Sequence, residues 1–308
     1  MKTSRLVTGL RYGLLSALAL FFLLPLYLIV RNAFSSRELI TAPRWHWLPD
    51  RVGLDNLNSL LANDSIGIGR ALLNSAIMAT LQTGGTVFVS LMAGYALARY
   101  THRLARVLLG VTVFTLMVPA ATTFVPMFII TAQLGWIDSF RGLVIPGMFS
   151  AFATYLFRQF FLDFPTELED AALIDGCNQW GVFWRVVAPN SQGIIAAVGT
   201  IVLIGSWNAF LWPSLIGRDA TRTVQVALSQ FMTSQGVRYP ELFMGTLIAV
   251  APMLVVFLFL QRYLVQGLTT SSEVTTGEVG TGGGIGSQTG QVPDPGTLAL
   301  LLGESMAL

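Results

Sequence analysis

Long stretches without a charged side chain recur along the sequence and predict six membrane-spanning helices. About 20 predominantly apolar residues cross a bilayer as a helix. Most of the stretches approach or exceed that length, and the shortest reaches it if Arg158, which follows it, extends its side chain to the membrane surface. The stretches are 12–30, 71–98, 107–137, 142–157, 186–217 and 242–261.

The pattern inside these stretches favours helices over strands. A transmembrane β-strand shows about 10 residues of alternating apolar and polar character, and no such alternation occurs between residues 107 and 130. The first stretch follows basic residues, as in a signal peptide, but it is long and no small-x-small cleavage site comes after it. We therefore predict an all-α polytopic membrane protein that retains its first helix.

The density of basic residues predicts the orientation in the membrane. Lys2, Arg5 and Arg11 cluster before the first stretch, and a second cluster lies in the short turn 99–106. The basic residues of 31–70 are spread over a longer segment. Because short basic loops stay in the cytoplasm, we expect both termini and the connection between the fourth and fifth helices to be cytoplasmic.

The composition divides the chain near residue 270. With 53% hydrophobic and 11% charged residues, the chain has too little polar side chain to cover a soluble surface, and residues 1–269 form one predicted membrane domain. From Thr270 onward Gly, Ser and Thr dominate. Such a segment buries too little apolar surface to fold, so 270–308 is predicted to be a disordered cytosolic tail.

Residue types that carry catalysis or bind metals are scarce. His46 and His102 fall on opposite sides of the membrane in this topology, and Cys177 is the only cysteine, so we predict no metal site. Lys2 is the only lysine, whereas a P-loop needs a lysine within Gly-Lys-Ser/Thr to reach nucleotide phosphates. We expect no cofactor and no enzyme activity in this chain, and the net charge of +2 does not indicate a nucleic-acid partner.

Residues 163–191, between the fourth and fifth stretches, predict two short helices joined by a turn, which we call the 163–191 hairpin. Thr166 and Glu169 match a capping box at the start of the first helix. Gly176 supplies the left-handed residue at which that helix ends, and Pro189 ends the second helix. The apolar face of the second helix consists of residues three and four positions apart: Trp180, Phe183, Trp184 and Val187.

The sequence of this hairpin resembles the EAA loop of ABC importer permeases. Glu169-Asp170-Ala171-Ala172 is followed four residues later by Gly176, and then by Val186-Val187-Ala188-Pro189. The resemblance implies docking on a cytosolic ATPase subunit by a set of coupling residues: Glu169, Asp170, Ala171, Ala172, Gly176 and Pro189. The family usually has glutamate where Asp170 stands and leucine where Ala188 stands.

Further motifs occur in family order over roughly residues 10–269 and resemble the carbohydrate-importer branch, close to the maltose-type second permease. They include Asn74-Ser75, Ala93-Gly94-Tyr95-Ala96-Leu97-Ala98-Arg99, Met117-Val118-Pro119, Leu134-Gly135-Trp136, Trp207-Asn208-Ala209-Phe210-Leu211 and Gly267-Leu268-Thr269. The resemblance implies a type I ABC importer permease in the inner membrane. It also implies a homologous second permease subunit, two cytosolic ATPase subunits that bind ATP and magnesium, and an external solute-binding protein.

Asn74, Trp207 and Asn208 are candidates for the solute pathway, because an aromatic face beside an amide suits a sugar. The alternative is that the asparagines form hydrogen bonds between helices. Pro119, Pro126 and Gly135 are interpreted as helix kinks, with breaks that line a translocation path as the alternative. Gly84-Gly85, Gly94 and Gly199 are interpreted as sites of close helix packing.

Other functions are weighed against a carbohydrate importer. A carrier driven by an ion gradient commonly holds ionisable residues within the membrane, and the six stretches contain none. A membrane-bound enzyme needs a catalytic cluster, which we do not find in the sequence. An ABC importer permease for a solute other than a sugar stays open as an alternative.

Overall fold

The computed structural model describes residues 5–51, 53–63, 66–233 and 236–276, which are mostly helical. The chain divides into two compact units, and the one that ends at Gly267 is called the first unit below. The helices are α1 (Arg5–Ala33), α2 (Arg37–Ile40), α3 (Asp55–Leu61), α4 (Ile68–Arg99), α5 (Arg103–Met117), α6 (Ala120–Gln133), α7 (Phe140–Val144), α8 (Ala151–Leu162), α9 (Thr166–Ile174), α10 (Gln179–Val182), α11 (Ala188–Asn190), α12 (Gln192–Trp207), α13 (Leu211–Ile216), α14 (Val224–Ser229) and α15 (Tyr239–Thr276). A 3-10 turn (Ile145–Met148) follows α7, a π-helical turn (Phe183–Val187) joins α10 to α11, and β1 (Met232–Thr233) pairs antiparallel with β2 (Gly236–Val237).

The helices of the described residues account for the six predicted spans. Three are long and apolar enough to cross a membrane by themselves, within α1, α4 and α15. Three pairs of helices separated by a short break reach that length together: α5 with α6, α7 with α8, and the α10–α11 segment with α12. Counting each pair as one span gives up to six.

The third span is broken rather than kinked. α5 and α6 meet at an angle of 106°, and Val118 between them is extended, with φ of −79° and ψ of 120°. The ring of Pro119 disfavours helical backbone at the residue before it. The preferred interpretation of Pro119 as a helix kink is therefore wrong, and the alternative of a break holds there, whereas Pro126 lies inside α6.

The fifth predicted stretch, 186–217, also does not form one helix. The helix Gln179–Asn190 meets α12 at 75°, and α13 is a separate short helix. Pro189 has no N–H to donate to the carbonyl of Arg185. The preceding π-helical turn, in which the N–H of Ala188 bonds to the carbonyl of Phe183, accommodates this loss. The helix ends at Asn190, one residue beyond Pro189.

The last helix continues past the predicted end of the membrane domain at residue 269. α15 extends to Thr276, because residues 270–276 contain neither glycine nor proline and the first glycine that follows is Gly277. The predicted tail 270–308 therefore begins as helix. Its remaining part lies outside the described residues.

α4 is the helix around which the first unit packs, with α8 and α12 as its main neighbours. A Cβ at Gly94 would lie 2.6 Å from the Cβ of Phe157 and 2.9 Å from the backbone nitrogen of Arg158. The backbones of α4 and α8 therefore touch at this position. The prediction of close helix packing is thus confirmed at Gly94 but not at Gly84, where a Cβ would meet no atom within 4 Å.

The fourth span is interrupted between the 3-10 turn and α8, and polar side chains of α4 form hydrogen bonds to the backbone there. The carbonyl of Ser150 already accepts from the N–H of Thr154 at 3.0 Å, whereas that of Gly147 lies in the 3-10 turn after α7. The side chains of Gln82 and Thr86 each donate to the carbonyl of Gly147 at 3.3 Å, and Ser90 donates to the carbonyl of Ser150 at 3.5 Å. The three donors are spaced four residues apart and share one face of α4, so the protein itself supplies hydrogen bonds that lipid cannot.

We predict that Gly94→Ala destabilises the protein, because even one methyl group would force α4 and α8 apart. Overpacking of this kind costs about 2 kcal/mol. The measurement is the temperature at which the purified protein in detergent loses its monodisperse elution peak. Gly84→Ala is the matched control on the same helix, since a Cβ there meets no atom within 4 Å. Equal melting of the two variants would contradict the close contact.

Candidate functional site

The first helix of the 163–191 hairpin ends in a Schellman motif. Gly176 has a positive φ of 86°. Its N–H bonds to the carbonyl of Leu173, and the N–H of Cys177 bonds to the carbonyl of Ala172, both at 3.0 Å. The prediction that α9 ends at a left-handed Gly176 is confirmed.

The start of α9 differs from the prediction. Pro165 occupies the N-cap position and provides no side-chain acceptor, and Thr166 is already helical. The predicted capping box of Thr166 and Glu169 is therefore wrong. The carboxylate of Glu169 turns inward instead, because a partly buried arginine offers it charge-assisted hydrogen bonds.

That arginine is Arg99, the last residue of α4. Its Nε and Nη2 donate to Oε1 of Glu169 at 2.8 and 2.5 Å, and Tyr95 donates its hydroxyl proton to Oε2 at 2.8 Å. Arg99 also donates to the carbonyls of Phe161 at 2.7 Å and Phe164 at 3.0 Å. The guanidinium of Arg99 thus connects the end of α4, the end of α8 and the beginning of the hairpin.

α9 has an anchored inner face and a free outer face. Glu169 and Ala172 are each only 8% exposed and lie against the rest of the unit. The outer face is exposed and contains Asp170, Ala171, Leu173 and, at its far end, Ile174, which is 86% exposed.

The second helix of the hairpin is held by an aromatic cluster. Val182, Phe183 and Val187 are buried in a cluster that includes Phe157 and Phe161 of α8. Of the predicted apolar face, Phe183 and Val187 are therefore buried. The other two members, Trp180 and Trp184, are largely exposed, because the π-helical turn changes the angular spacing of the side chains. Pro189 is exposed in α11.

A second candidate site is a cavity of about 440 Å³ next to the end of α12, which we call the Trp207 cavity. Residues from α12, α14 and α15 line it: Ile204, Trp207, Asn208, Gln225, Leu228, Thr246, Ala249, Val250, Met253 and Leu254. The indole N–H of Trp207 donates to the carbonyl of Ala249 at 3.2 Å, and Gln225 donates to the side-chain oxygen of Asn208 at 3.4 Å. Two of the predicted pathway residues, Trp207 and Asn208, thus face one cavity.

Asn74, the third predicted pathway residue, lies elsewhere. It is buried in α4, and its side-chain amide donates to the carbonyls of Ala220 at 3.1 Å and Arg222 at 3.0 Å. Asn74 is not among the residues that line the Trp207 cavity. Its contacts match the interhelical role that was weighed as the alternative, and a solute contact by Asn74 stays a prediction.

The comparison with protein families matches residues 85–270 to the family described as "Binding-protein-dependent transport system inner membrane component". The matched range contains the hairpin and more than half of the chain. The chain belongs to this permease family. The resemblance to ABC importer permeases is thereby confirmed, and the protein is a multi-pass membrane component of an importer.

Characterised relatives of this permease cover most of its length. It is 32% identical to the arabinooligosaccharides transport system permease protein AraQ of Bacillus subtilis (strain 168), over 82% of this chain and 90% of the relative. It is 37% identical to the sn-glycerol-3-phosphate transport system permease protein UgpE of Yersinia pestis, over 69% and 77%. It is 33% identical to the lactose transport system permease protein LacG of Rhizobium radiobacter, over 70% and 79%.

A solved structure shows the same fold. A chain of a bacterial ABC transporter involved in the import of the acidic polysaccharide alginate superimposes with a TM-score of 0.73 at 22% identity, covering 86% of this permease and 98% of that chain. The predicted all-α architecture of an ABC importer permease is confirmed.

The anchoring contacts of the hairpin were not predicted from the sequence. Arg99 and Tyr95 were noted only as parts of a motif, and Glu169 was predicted as a coupling residue and as part of a capping box. A signal was present, since Tyr95 and Arg99 are four residues apart and share one face of α4, and Arg99 ends a charge-free stretch. The identity of their partner could not be read from the sequence, because Glu169 is 70 residues from Arg99.

We predict that Glu169→Ala lowers the free energy of unfolding of the permease by roughly 2 kcal/mol, since the partly buried guanidinium of Arg99 loses its counter-ion but keeps the carbonyls of Phe161 and Phe164 as acceptors. The measurement is thermal unfolding of the purified protein in detergent. Glu167→Ala is the matched control, because Glu167 is an exposed acid in the same helical turn. A Glu169 variant as stable as the Glu167 variant would contradict the anchoring role.

Proposed function

We propose that this permease imports a carbohydrate across the cytoplasmic membrane and that the 163–191 hairpin receives the movement of a cytosolic ATPase subunit. The observation that carries the coupling role is the two-sided character of α9. Its inner face is fixed to α4 and α8 through Arg99, while Asp170, Ala171 and Ile174 are exposed. A short helix held in this way moves together with the membrane helices when it is pushed.

The energy source lies in other polypeptides in this proposal. Two ATPase subunits bind ATP and magnesium, because the only lysine of the chain, Lys2, lies in no Gly-Lys-Ser/Thr sequence. Both termini are cytoplasmic, which places the hairpin on the side where ATP is available. A homologous second permease completes the translocation path, and an external solute-binding protein delivers the solute.

The chemistry of the Trp207 cavity supports a neutral, polyhydroxylated solute. Among the described residues that line it, Asn208, Gln225 and Thr246 are polar and none is charged. Amides and hydroxyls can both donate to and accept from sugar hydroxyls, and an aromatic ring packs against the apolar face of a sugar ring. A phosphorylated solute would need cationic partners to replace its water.

The relatives divide between neutral and charged solutes. The names of AraQ and LacG refer to arabinooligosaccharides and lactose, which are uncharged, whereas the name of UgpE refers to sn-glycerol-3-phosphate. The uncharged lining of the Trp207 cavity favours the former. We therefore propose a neutral sugar or oligosaccharide as the solute.

We predict that Gly176→Val uncouples transport from ATP hydrolysis. The left-handed backbone at Gly176 is unfavourable for valine, although a Cβ there meets no atom within 4 Å, so the change acts on the turn and not through a clash. Uptake by the complete importer in proteoliposomes should fall by about tenfold, while the variant still inserts into the membrane. Gly193→Val, at another open glycine without positive φ, is the control. Unchanged uptake together with unchanged ATPase stimulation would count against the coupling role.

We predict that proteoliposomes with the complete importer take up a neutral oligosaccharide and not glycerol-3-phosphate. Asn208→Ala should lower the maximal uptake rate by about tenfold, because it removes polar partners of the solute in the cavity. Gln133→Ala, which removes an exposed amide from α6, should leave uptake unchanged. Uptake of the phosphorylated compound alone, or equal rates for the two variants, would refute the assignment.

A further inference from the structure

Asp138, in the turn between α6 and α7, makes an unusually complete set of contacts with one irregular stretch of the chain. This stretch joins α13 to α14, and we call residues 217–223 the α13–α14 segment. Oδ1 of Asp138 accepts from the backbone N–H of Arg218 at 3.0 Å, and from the N–H and hydroxyl of Thr221 at 3.1 and 2.8 Å. Oδ2 accepts from the N–H of Ala220 at 3.3 Å. The backbone N–H of Asp138 also donates to the carbonyl of Ile216 at 2.8 Å.

The backbone of Asp138 is itself in a rarely used conformation. Its φ is 53°, the one positive value at a non-glycine residue in the part of the chain that the structure describes. A residue with a Cβ adopts this conformation at a cost, and aspartate is one of the few that tolerate it. The conformation lets the N–H and the carboxylate of the same residue reach the α13–α14 segment together.

The far side of the segment is held by α4. Asn74 donates to the carbonyls of Ala220 and Arg222. Ser75 accepts from the N–H of Val224 at 2.8 Å and so caps α14, whose own N-cap residue makes no side-chain cap. Because the segment has no regular secondary structure, its backbone groups depend on such partners.

The position of the segment decides where α14 lies. α14 is a short helix that would not be stable alone. It carries Gln225 and Leu228 into the wall of the Trp207 cavity, and Gln225 reaches Asn208 there. A shift of the α13–α14 segment would therefore change the polar wall of the cavity.

We propose that Asp138 is a positioning residue for transport, which holds the α13–α14 segment and thereby the Gln225–Asn208 wall of the Trp207 cavity. The proposal rests on the proposed function for its effect on the solute, but not for its effect on the position of Gln225. Asp138 does not line the cavity, so its influence on transport passes through the segment.

The carboxylate of Asp138 is suited to holding the α13–α14 segment in place permanently. Burial would raise the pKa of Asp138, but the hydrogen bonds from Arg218, Thr221 and Ala220 outweigh it and keep the pKa below its usual value. The group is thus ionised at neutral pH, and charge-assisted hydrogen bonds are the stronger kind.

The first test measures the position of Gln225 without any solute. Gln225→Cys is introduced together with Cys177→Ser, which removes the only native cysteine, and the rate of modification by a hydrophilic thiol reagent is measured on the purified permease. Adding Asp138→Ala should change this rate by about tenfold. Adding Asp138→Asn should change the modification rate less, because the amide oxygen can keep the bonds made by Oδ1. Only the bond to Ala220 is lost, since the amide NH₂ would face the N–H of Ala220 and two donors repel each other.

Asp219→Ala is the matched control. Asp219 lies in the same segment, but its side chain is 97% exposed and pairs with Arg222 at the surface, so the modification rate at position 225 should not change. Asn74→Ala gives a second way to release the segment and should act like Asp138→Ala, which keeps the test decisive if the latter variant does not fold. Equal modification rates in the Asp138, Asn74 and Asp219 variants would overturn the proposal.

The second test measures transport in the complete importer. Asp138→Asn should lower the maximal uptake rate of the folded protein by several fold and change the concentration of solute-loaded binding protein at half-maximal uptake less than twofold. A merely stabilising residue would alter melting and leave the uptake rate of the folded fraction unchanged. If the modification rate responds but the importer carries no neutral sugar, the proposed function fails and the positioning of Gln225 stands.

Discussion

Breaks in a membrane-embedded helix leave backbone N–H and C=O groups without partners, and lipid cannot supply them. In this permease the side chains of α4 meet much of that need. Asn74 bonds to the α13–α14 segment, Thr86 to the break before α8, and Arg99 to the carbonyls at the end of α8. These irregular segments are tolerated because one continuous helix, α4, presents polar side chains at the levels where the segments need hydrogen-bond partners.

This arrangement gives α4 a mechanical role. Asn74 and Arg99 lie near opposite ends of it, about 37 Å apart along the axis of an ideal helix. One end holds the backbone beside the Trp207 cavity, and the other end holds the 163–191 hairpin. In the proposed function, a displacement of the hairpin therefore reaches the cavity wall through a single rigid element, and no relay of small contacts is required.

The features of this architecture that depend on neighbouring residues could be predicted from the sequence. Six spans followed from the charge-free stretches, and the end of α9 at Gly176 followed from the conformational freedom of glycine. The positions at which a membrane span breaks into two helices were harder to predict. Pro119 and Pro126 look alike in the sequence, yet only Pro119 separates two helices, because the packing around each proline decides whether the chain bends or breaks.

The partners of the polar side chains could not be predicted, since they are distant in the sequence. Asn74 bonds to carbonyl groups 146 and 148 residues away, and Glu169 bonds to Arg99 in preference to the local capping position. For the candidate site, the sequence therefore predicted the two-helix hairpin that the structure contains. It did not reveal which face of the hairpin is anchored.

The anchoring of Glu169 also explains how the permease tolerates aspartate at position 170. A largely desolvated ion pair such as that of Arg99 and Glu169 contributes little net stability, because desolvation of both charges offsets their attraction, but it fixes the orientation of α9. Asp170 is the next residue and points outward. Shortening the acid at this position leaves the anchor to α4 untouched and alters only the surface that faces away from the membrane domain. If that surface meets the ATPase subunit, as we propose, the departure from glutamate affects the choice of partner and not the rigidity of the connection.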